Sequence, residues 1–174
     1  MIDLETLEPE FRERLLSVIE TCAADRFRLI PEVGAIDPFL QARLWRQSRS
    51  DAEIDEAIAD LKAQNCIYLA EVLEETEGKL GPKVTDSLPG LSWHNWREAV
   101  KVGIYDNCGR ELMNHDEKAI SVLRKAIKKH KLNSGENWGK SLFYIQKSTF
   151  ENPKNLMSML EIDKTMYDMW GIIR

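Results

Sequence analysis

The residues AVKVGIY (99–105), followed by DNCG (106–109), decide the fold class of this 174-residue chain. Valine, isoleucine and tyrosine favour an extended backbone, and the four residues that follow predict a turn closing a hairpin. Elsewhere, apolar residues recur at helical spacing. The predicted helices span 8–24, 38–45, 50–64, 68–75, 116–130 and 153–170, and short strands are predicted at 27–30 and 142–145. Helices first, a few strands in the second half and a terminal helix predict an α+β fold with an antiparallel sheet.

The composition is that of an ordinary globular domain. With 43% hydrophobic and 30% charged residues, the chain has enough apolar surface to fold alone. We expect one domain at residues 1–151 and a helical extension at 152–174 that packs on it. The formal net charge of -5 is spread along the chain. Nucleic acid is therefore not an expected partner, because nothing suggests a basic stripe to face phosphates.

The N-terminus and the cysteines limit the expected compartment. The first five residues are acidic and lack an apolar signal segment, and no stretch reaches the ~18 apolar residues of a membrane span. Cys22, Cys66 and Cys108 are an odd number without Cys-x-x-Cys spacing, which is not typical of a disulfide framework or a zinc knuckle. We expect no signal peptide, no membrane span and reduced, mostly buried thiols.

Three stretches, residues 34–50, 84–101 and 135–151, resemble a family of zinc peptidases. It is the D-alanyl-D-alanine carboxypeptidase and L-alanyl-D-glutamate endopeptidase family, peptidase family M15. The most specific pieces are QARLWRQSRS (41–50) and LPGLSWHNW (88–96). Members cut the stem peptides of bacterial cell walls and include phage endolysins. The resemblance implies a Hedgehog/DD-peptidase-like fold and a bacterial or phage setting, with the protein in the cytoplasm or in a phage particle.

The first signature of that family carries two zinc ligands. A serine is followed two residues later by a histidine ligand, then by a glycine three positions and an aspartate ligand seven positions after the histidine. Ser92 and His94 match, but Arg97 stands at the glycine position and Lys101 at the aspartate position. A protonated lysine has no lone pair to give to a metal.

The other catalytic positions are also changed. In the second signature the resemblance puts Asn137 at the place of the acidic general base and Thr149 at the place of the third ligand. If the alignment shifts by one residue, Glu136 becomes a candidate base. The family's oxyanion-stabilising arginine precedes an Asp-Pro turn, where this chain has Ile36. Four of the five catalytic roles that the resemblance implies are therefore unfilled.

We expect no metal, no other cofactor and no peptidase activity. A zinc ion about 4 Å from the Lys101 ammonium would be repelled by roughly 8 kcal/mol at an effective dielectric of about 20. One alternative is a zinc site rebuilt from His94, Cys108, His115 and His130, whose spacing places no two on one helix face. Another is an active hydrolase with an unorthodox site that uses His94 with Glu136 or a cysteine.

The first expectation for function is a binding module, in which Lys101 holds a carboxylate where zinc would sit. The partner would be a peptidoglycan stem peptide or a bacterial or phage protein. The alternative interpretations are a packing role for His94 and a solvated surface position for Arg97. The predicted binding cleft consists of Ser92, His94, Arg97, Lys101, Glu136 and Trp138.

The C-terminal helix extends beyond the resemblance and holds four of the six methionines. Such a surface either packs on its own domain or binds a partner. In the second case, the protein would be a phage or secretion-system structural or assembly protein. The candidate partner contacts are Leu156, Met159, Leu160 and Trp170.

Overall fold

The structure, a computed structural model, describes residues 2–78, 81–112, 116–135, 143–147 and 156–171. Its elements in chain order are a 3-10 helix (Leu4–Thr6), α1 (Pro9–Ala24), β1 (Phe27–Val33), α2 (Pro38–Arg46), α3 (Asp51–Ala63), α4 (Ile67–Glu75), β2 (Ala99–Asp106), α5 (Glu117–Lys129), β3 (Leu132–Gly135), β4 (Phe143–Lys147) and α6 (Met159–Trp170). The predicted α+β class with a small antiparallel sheet is confirmed. The chain forms two compact units, Met1–Ala35 with Trp96–Asn152, and Ile36–Asn95 with Pro153–Arg174.

The first unit is a four-stranded antiparallel sheet packed against α1 and α5. The strand order is β1-β2-β4-β3. Alternate residues of β2, namely Val100, Val102 and Ile104, join apolar residues of both helices in one buried cluster. Because side chains of a strand alternate between faces, Lys101 lies on the face opposite this core.

The second unit is helical and is organised around α4. This helix contacts α2, α3 and α6. Its buried side chains are Tyr68, Leu69, Ala70, Val72 and Leu73. No described helix in either unit is long and apolar enough to cross a membrane.

The starts of α1, α2 and α3, which have local caps, agree with the sequence predictions. Glu8 precedes Pro9 at the start of α1 and accepts hydrogen bonds from the backbone N–H groups of the first turn. Asp37 caps α2 in the same way, and Ser50 and Glu53 form the predicted capping box of α3. Such caps satisfy N–H groups that lack a partner within the helix.

Some predicted element boundaries were wrong, and one strand was not predicted. β1 continues to Val33, and β3 was not predicted, because its four residues (LNSG) form a strand by pairing with β4 rather than by β propensity. The last helix begins at Met159, since Ser158 and Glu161 form a capping box there. Residues 156–158 are therefore not part of it as predicted, and the predicted start at 153 lies outside the described residues. The predicted division at residues 151 and 152 stays a prediction.

Candidate functional site

His94 lies in a loop, residues 90–95 (the His94 loop), that one buried asparagine holds in shape. Asn95 is 0% exposed. Its side-chain Oδ1 accepts a hydrogen bond from the Gly90 N–H at 3.0 Å, and its Nδ2 donates to the Ile36 carbonyl at 2.8 Å. Both ends of the buried amide therefore have partners, as a buried polar group requires.

Helix α6 packs closely on the His94 loop. The indole Nε1–H of Trp170 donates to the Asn95 carbonyl at 2.9 Å. Gly90 has a φ of +84°, and a Cβ there would come within 2.9 Å of Ile162 Cγ2. Glycine is needed at this position both for the backbone conformation and for the close approach. Trp170, a predicted partner contact, is thus engaged within its own unit.

The structure brings together three of the positions that the resemblance singles out. The Ile36 N–H donates to the His94 carbonyl at 3.1 Å, and the His94 N–H donates to Ser92 Oγ at 3.4 Å. Ile36 and His94 are each 8% exposed. The residue bonded to the His94 backbone is therefore an isoleucine, at the position where the peptidases carry an arginine.

Arg97 and Lys101 belong to the first unit. Arg97 has a φ of +62°, a left-handed conformation that favours glycine, and its carbonyl accepts a hydrogen bond from the Glu8 N–H at 2.9 Å. Lys101 is half-buried on β2, where its neighbours across the sheet are Val33 and Tyr144.

Sequence reasoning missed an ion cluster next to the first signature. The Lys147 ammonium lies 3.0 Å from Glu98 Oε1 and 3.5 Å from a carboxylate oxygen of each of Glu8 and Glu10. Glu98 is 5% exposed and Lys147 is 9% exposed. The Lys147 N–H also donates to the Glu98 carbonyl at 3.0 Å. Ion pairs therefore connect the end of β4 to the start of β2 and to the start of α1.

The charges of this cluster shift the pKa values of two members. Burial alone lowers the pKa of Lys147, but the hydrogen bond and charge of Glu98 and the charges of Glu8 and Glu10 raise it above its ordinary value. Burial likewise raises the pKa of Glu8, but N–H donors from Phe11 and Glu10 and the Lys147 charge bring it below its ordinary value. Both groups are thus held in their charged forms at neutral pH.

The zinc ion that the resemblance implies does not fit the residues present. A zinc peptidase site has three protein ligands and an open position for water, and His94 is the one residue at the family's ligand positions with a suitable donor. No group of three or more His, Cys, Asp or Glu side chains among the described residues could hold a metal ion. His115, Glu136, Asn137, Trp138 and Thr149 lie outside those residues.

The alternative chemistries find little support in the described positions. Burial, assisted by the charge of Asp25, raises the pKa of Cys22 to about 11, and burial also raises the pKa of Cys66, so neither thiol suits a nucleophile at neutral pH. Cys108 is exposed in the turn after β2. His130 ends α5, where its Nε2 lies 3.2 Å from a threonine hydroxyl of α1.

The other predicted partner contacts lie at the start of α6. Leu156 precedes the helix and is 91% exposed. Met159 and Leu160 are half-buried in its first turn, while Ile162 and Met166 face the interior. Leu156 is therefore the most accessible of the candidates.

An unpredicted contact from α6 caps α4. Cys66, at the N-cap position of α4, makes no side-chain cap hydrogen bond. Instead, Asp163 Oδ1 accepts from the Leu69 N–H at 2.7 Å. Asp163 is 6% exposed. A carboxylate from a distant part of the chain thus supplies both the missing acceptor and a charge favourable to the helix N-terminus.

Comparison with protein-family models and with curated proteins identifies no relative. No protein-family model matches the chain, and no curated protein is significantly similar to it. The kinship with the zinc peptidases therefore stays a prediction from the residues quoted above.

Proposed function

We propose that this chain is a catalytically silent relative of the M15 zinc peptidases that binds a cell-wall stem peptide, or a protein partner, without cleaving it. The proposal includes the Hedgehog/DD-peptidase-like fold that the resemblance implies. It depends on two arguments, one from backbone geometry at the signature positions and one from the chemistry of the side chains found there.

The observation that carries the proposal is the backbone conformation of Arg97. The peptidase signature has a glycine at this position, and glycine is the residue that readily adopts a positive φ. Arg97 has a φ of +62°, which a residue with a Cβ adopts less readily than glycine. A backbone that keeps the conformation while the residue has changed is expected of a diverged signature.

The contact between Ile36 and His94 is a second support. The resemblance assigns these two positions to one site although they are far apart in sequence, and the Ile36 N–H donates to the His94 carbonyl at 3.1 Å. An unrelated chain with a chance match to both motifs would have no reason to bring them together.

The side chains favour binding over hydrolysis. Isoleucine cannot stabilise an oxyanion, and a protonated lysine cannot ligate zinc. An ammonium can, however, hold a carboxylate through a charge-assisted hydrogen bond. Lys101 would therefore recognise an acidic group of the ligand.

The ancestry is tested by restoring the ligands. We would purify the chain and the double variant Lys101→Asp/Thr149→His without a metal-affinity tag, dialyse both against micromolar zinc and measure zinc by elemental analysis. The double variant should bind about one zinc per chain, and a further His94→Ala change should abolish that binding. If the restored variant folds, by circular dichroism, but takes up no zinc, the assigned ligand positions are wrong. Stoichiometric zinc in the unaltered chain, lost on His94→Ala, would favour an active enzyme.

The binding function is tested with purified sacculi. The unaltered chain should sediment with them and release no peptide fragments. Lys101→Ala should weaken retention, whereas Lys118→Ala, which removes an exposed lysine of α5, should not. Equal retention of the two variants would exclude the role of Lys101. If the sacculi retain none of the unaltered chain, binding to cell-wall peptide is excluded and the proposed partner is a protein.

A further inference from the structure

A groove of 430 Å3 lies between α4 and α6 within the second unit. It contains none of the positions that carry the peptidase resemblance. The groove is lined by two tyrosines, Tyr68 and Tyr167. Its charged groups are three carboxylates and one ammonium, those of Glu71, Asp163, Asp168 and Lys164. The groove therefore combines aromatic surface with an excess of negative charge.

The aromatic part of the groove is accessible. The rings of Tyr68 and Tyr167 pack edge to face, with centroids 5.5 Å apart and an interplanar angle of 80°. Tyr68 is buried, at 8% exposure, whereas Tyr167 is 55% exposed. At the rim, Ile67 is 50% exposed. A large apolar side chain and a ring that share one groove in this way offer contact area to a ligand.

The carboxylates of the groove divide into two kinds. Asp163 is buried and is engaged by the Leu69 N–H, so it contributes negative potential rather than a contact. Glu71 and Asp168 are exposed, one on each helix. A cation in the groove would therefore find carboxylate acceptors on both helices.

We propose that this groove binds an arginine side chain of a protein partner. A guanidinium group is planar, stacks on an aromatic ring and donates paired hydrogen bonds to carboxylates, and a lysine ammonium matches fewer of these features. Ile67, at the apolar rim, would contact the partner's residue next to the arginine. The groove should therefore bind an arginine within a peptide segment better than free arginine. The inference does not depend on the proposed function.

The test is an NMR titration of the isotope-labelled full chain with acetyl-Gly-Ile-Arg-Gly-amide. The matched probe carries citrulline in place of arginine, which keeps the shape and removes the charge. Shift changes should be confined to α4 and α6, and the citrulline peptide should bind about fivefold more weakly or worse. Shift changes elsewhere, equal affinity for the two peptides, or no binding at millimolar peptide would overturn the proposal.

Variants of exposed residues test the individual contacts without threatening the fold. Tyr167→Ala and Asp168→Asn should each weaken binding about twofold to fivefold. Glu56→Gln, which removes an exposed carboxylate from α3 of the same unit, should leave it unchanged. Unchanged affinity in Tyr167→Ala, or an equal loss in Glu56→Gln, would show that the peptide responds to net charge and not to this groove.

Discussion

Replacing Lys147 by methionine should lower the free energy of unfolding by about 3–5 kcal/mol. The ammonium lies 3.0 Å from Glu98 Oε1, and both residues are buried, at 9% exposure for Lys147 and 5% for Glu98. Methionine occupies a similar volume without charge. The change therefore leaves the Glu98 carboxylate buried without the ammonium that offsets its desolvation. The carboxylates of Glu8 and Glu10, each 3.5 Å from the ammonium, lose the same partner and repel Glu98.

A double-mutant cycle separates this penalty from the loss of packing. Glu98→Gln alone should cost about 1–2 kcal/mol, because Lys147 keeps two other carboxylates and one hydrogen-bond acceptor. The double variant Glu98→Gln/Lys147→Met should be more stable than the sum of the single changes predicts, by about 2 kcal/mol, since it buries no charge. Lys125→Met, at an exposed position of α5, should change stability by less than about 0.5 kcal/mol.

Urea unfolding followed by far-UV circular dichroism at neutral pH measures all four variants. A loss below about 1 kcal/mol in Lys147→Met, the usual size for an exposed pair, would refute the reasoning. It would mean that Glu98 and Lys147 reach solvent and that their proximity contributes little. Strict additivity in the cycle would lead to the same conclusion.

The two pKa shifts predict how this cluster depends on pH. The pKa of Glu8 is held below 4.5, so its contribution is present above that pH and is lost as the pH falls through the folded-state pKa. The pKa of Lys147 is held above 10.5, so its contribution is present below that pH and is lost as the pH rises through the folded-state pKa. The difference in the free energy of unfolding between the unaltered chain and Lys147→Met should therefore become smaller toward both strongly acid and strongly alkaline pH. A difference that stays constant from neutral to acid pH would contradict this assignment.

Three further predictions concern other sites. Asp163→Ala should destabilise α4 by about 1–2 kcal/mol and Asp163→Asn by less, because the amide keeps an acceptor for the Leu69 N–H. Hydrogen exchange of the α4 amides measures this destabilisation. Equal exchange rates in the unaltered chain and both variants would exclude Asp163 as the cap. Arg97→Gly should be about 1 kcal/mol more stable than Arg97→Ala in urea, since both lack the side chain and alanine alone strains the positive φ; the reverse order would contradict that backbone conformation. Iodoacetamide at pH 8 should modify Cys108 and spare Cys22 in mass spectra, and rapid labelling of Cys22 would show that its burial is incomplete.

Local hydrogen bonding explains why several elements could be predicted from the sequence. Asp37, Ser50 and Glu53 cap helices through N–H groups no more than three residues away, so spacing in the sequence is enough to predict the contact. The α+β class followed in the same way from the order of helical and β-prone segments. β3 could not be predicted, because it depends on pairing with β4 rather than on its own residues.

In the candidate site, too, some features could be predicted from the sequence and others could not. The sequence singled out Ile36, Ser92 and His94 by motif. It did not predict that Asn95 would join residue 36 to the His94 loop, or that Trp170 would close on that loop from α6. Trp170 was a candidate partner contact because a sequence shows that a residue is apolar and at helical spacing, not which surface covers it.

By itself, the sequence determined the local caps of α2 and α3, the fold class and the residue types at the peptidase-like positions. These depend on neighbours within one or two helical turns. Only the tertiary structure decided that Asp163 caps α4, that Asn95 holds Ile36 and that Lys147 pairs with Glu98, across 94, 59 and 49 residues respectively. Each of these contacts forms only after the chain has closed a long loop, and the free energy for that closure comes from burial of the apolar side chains around it.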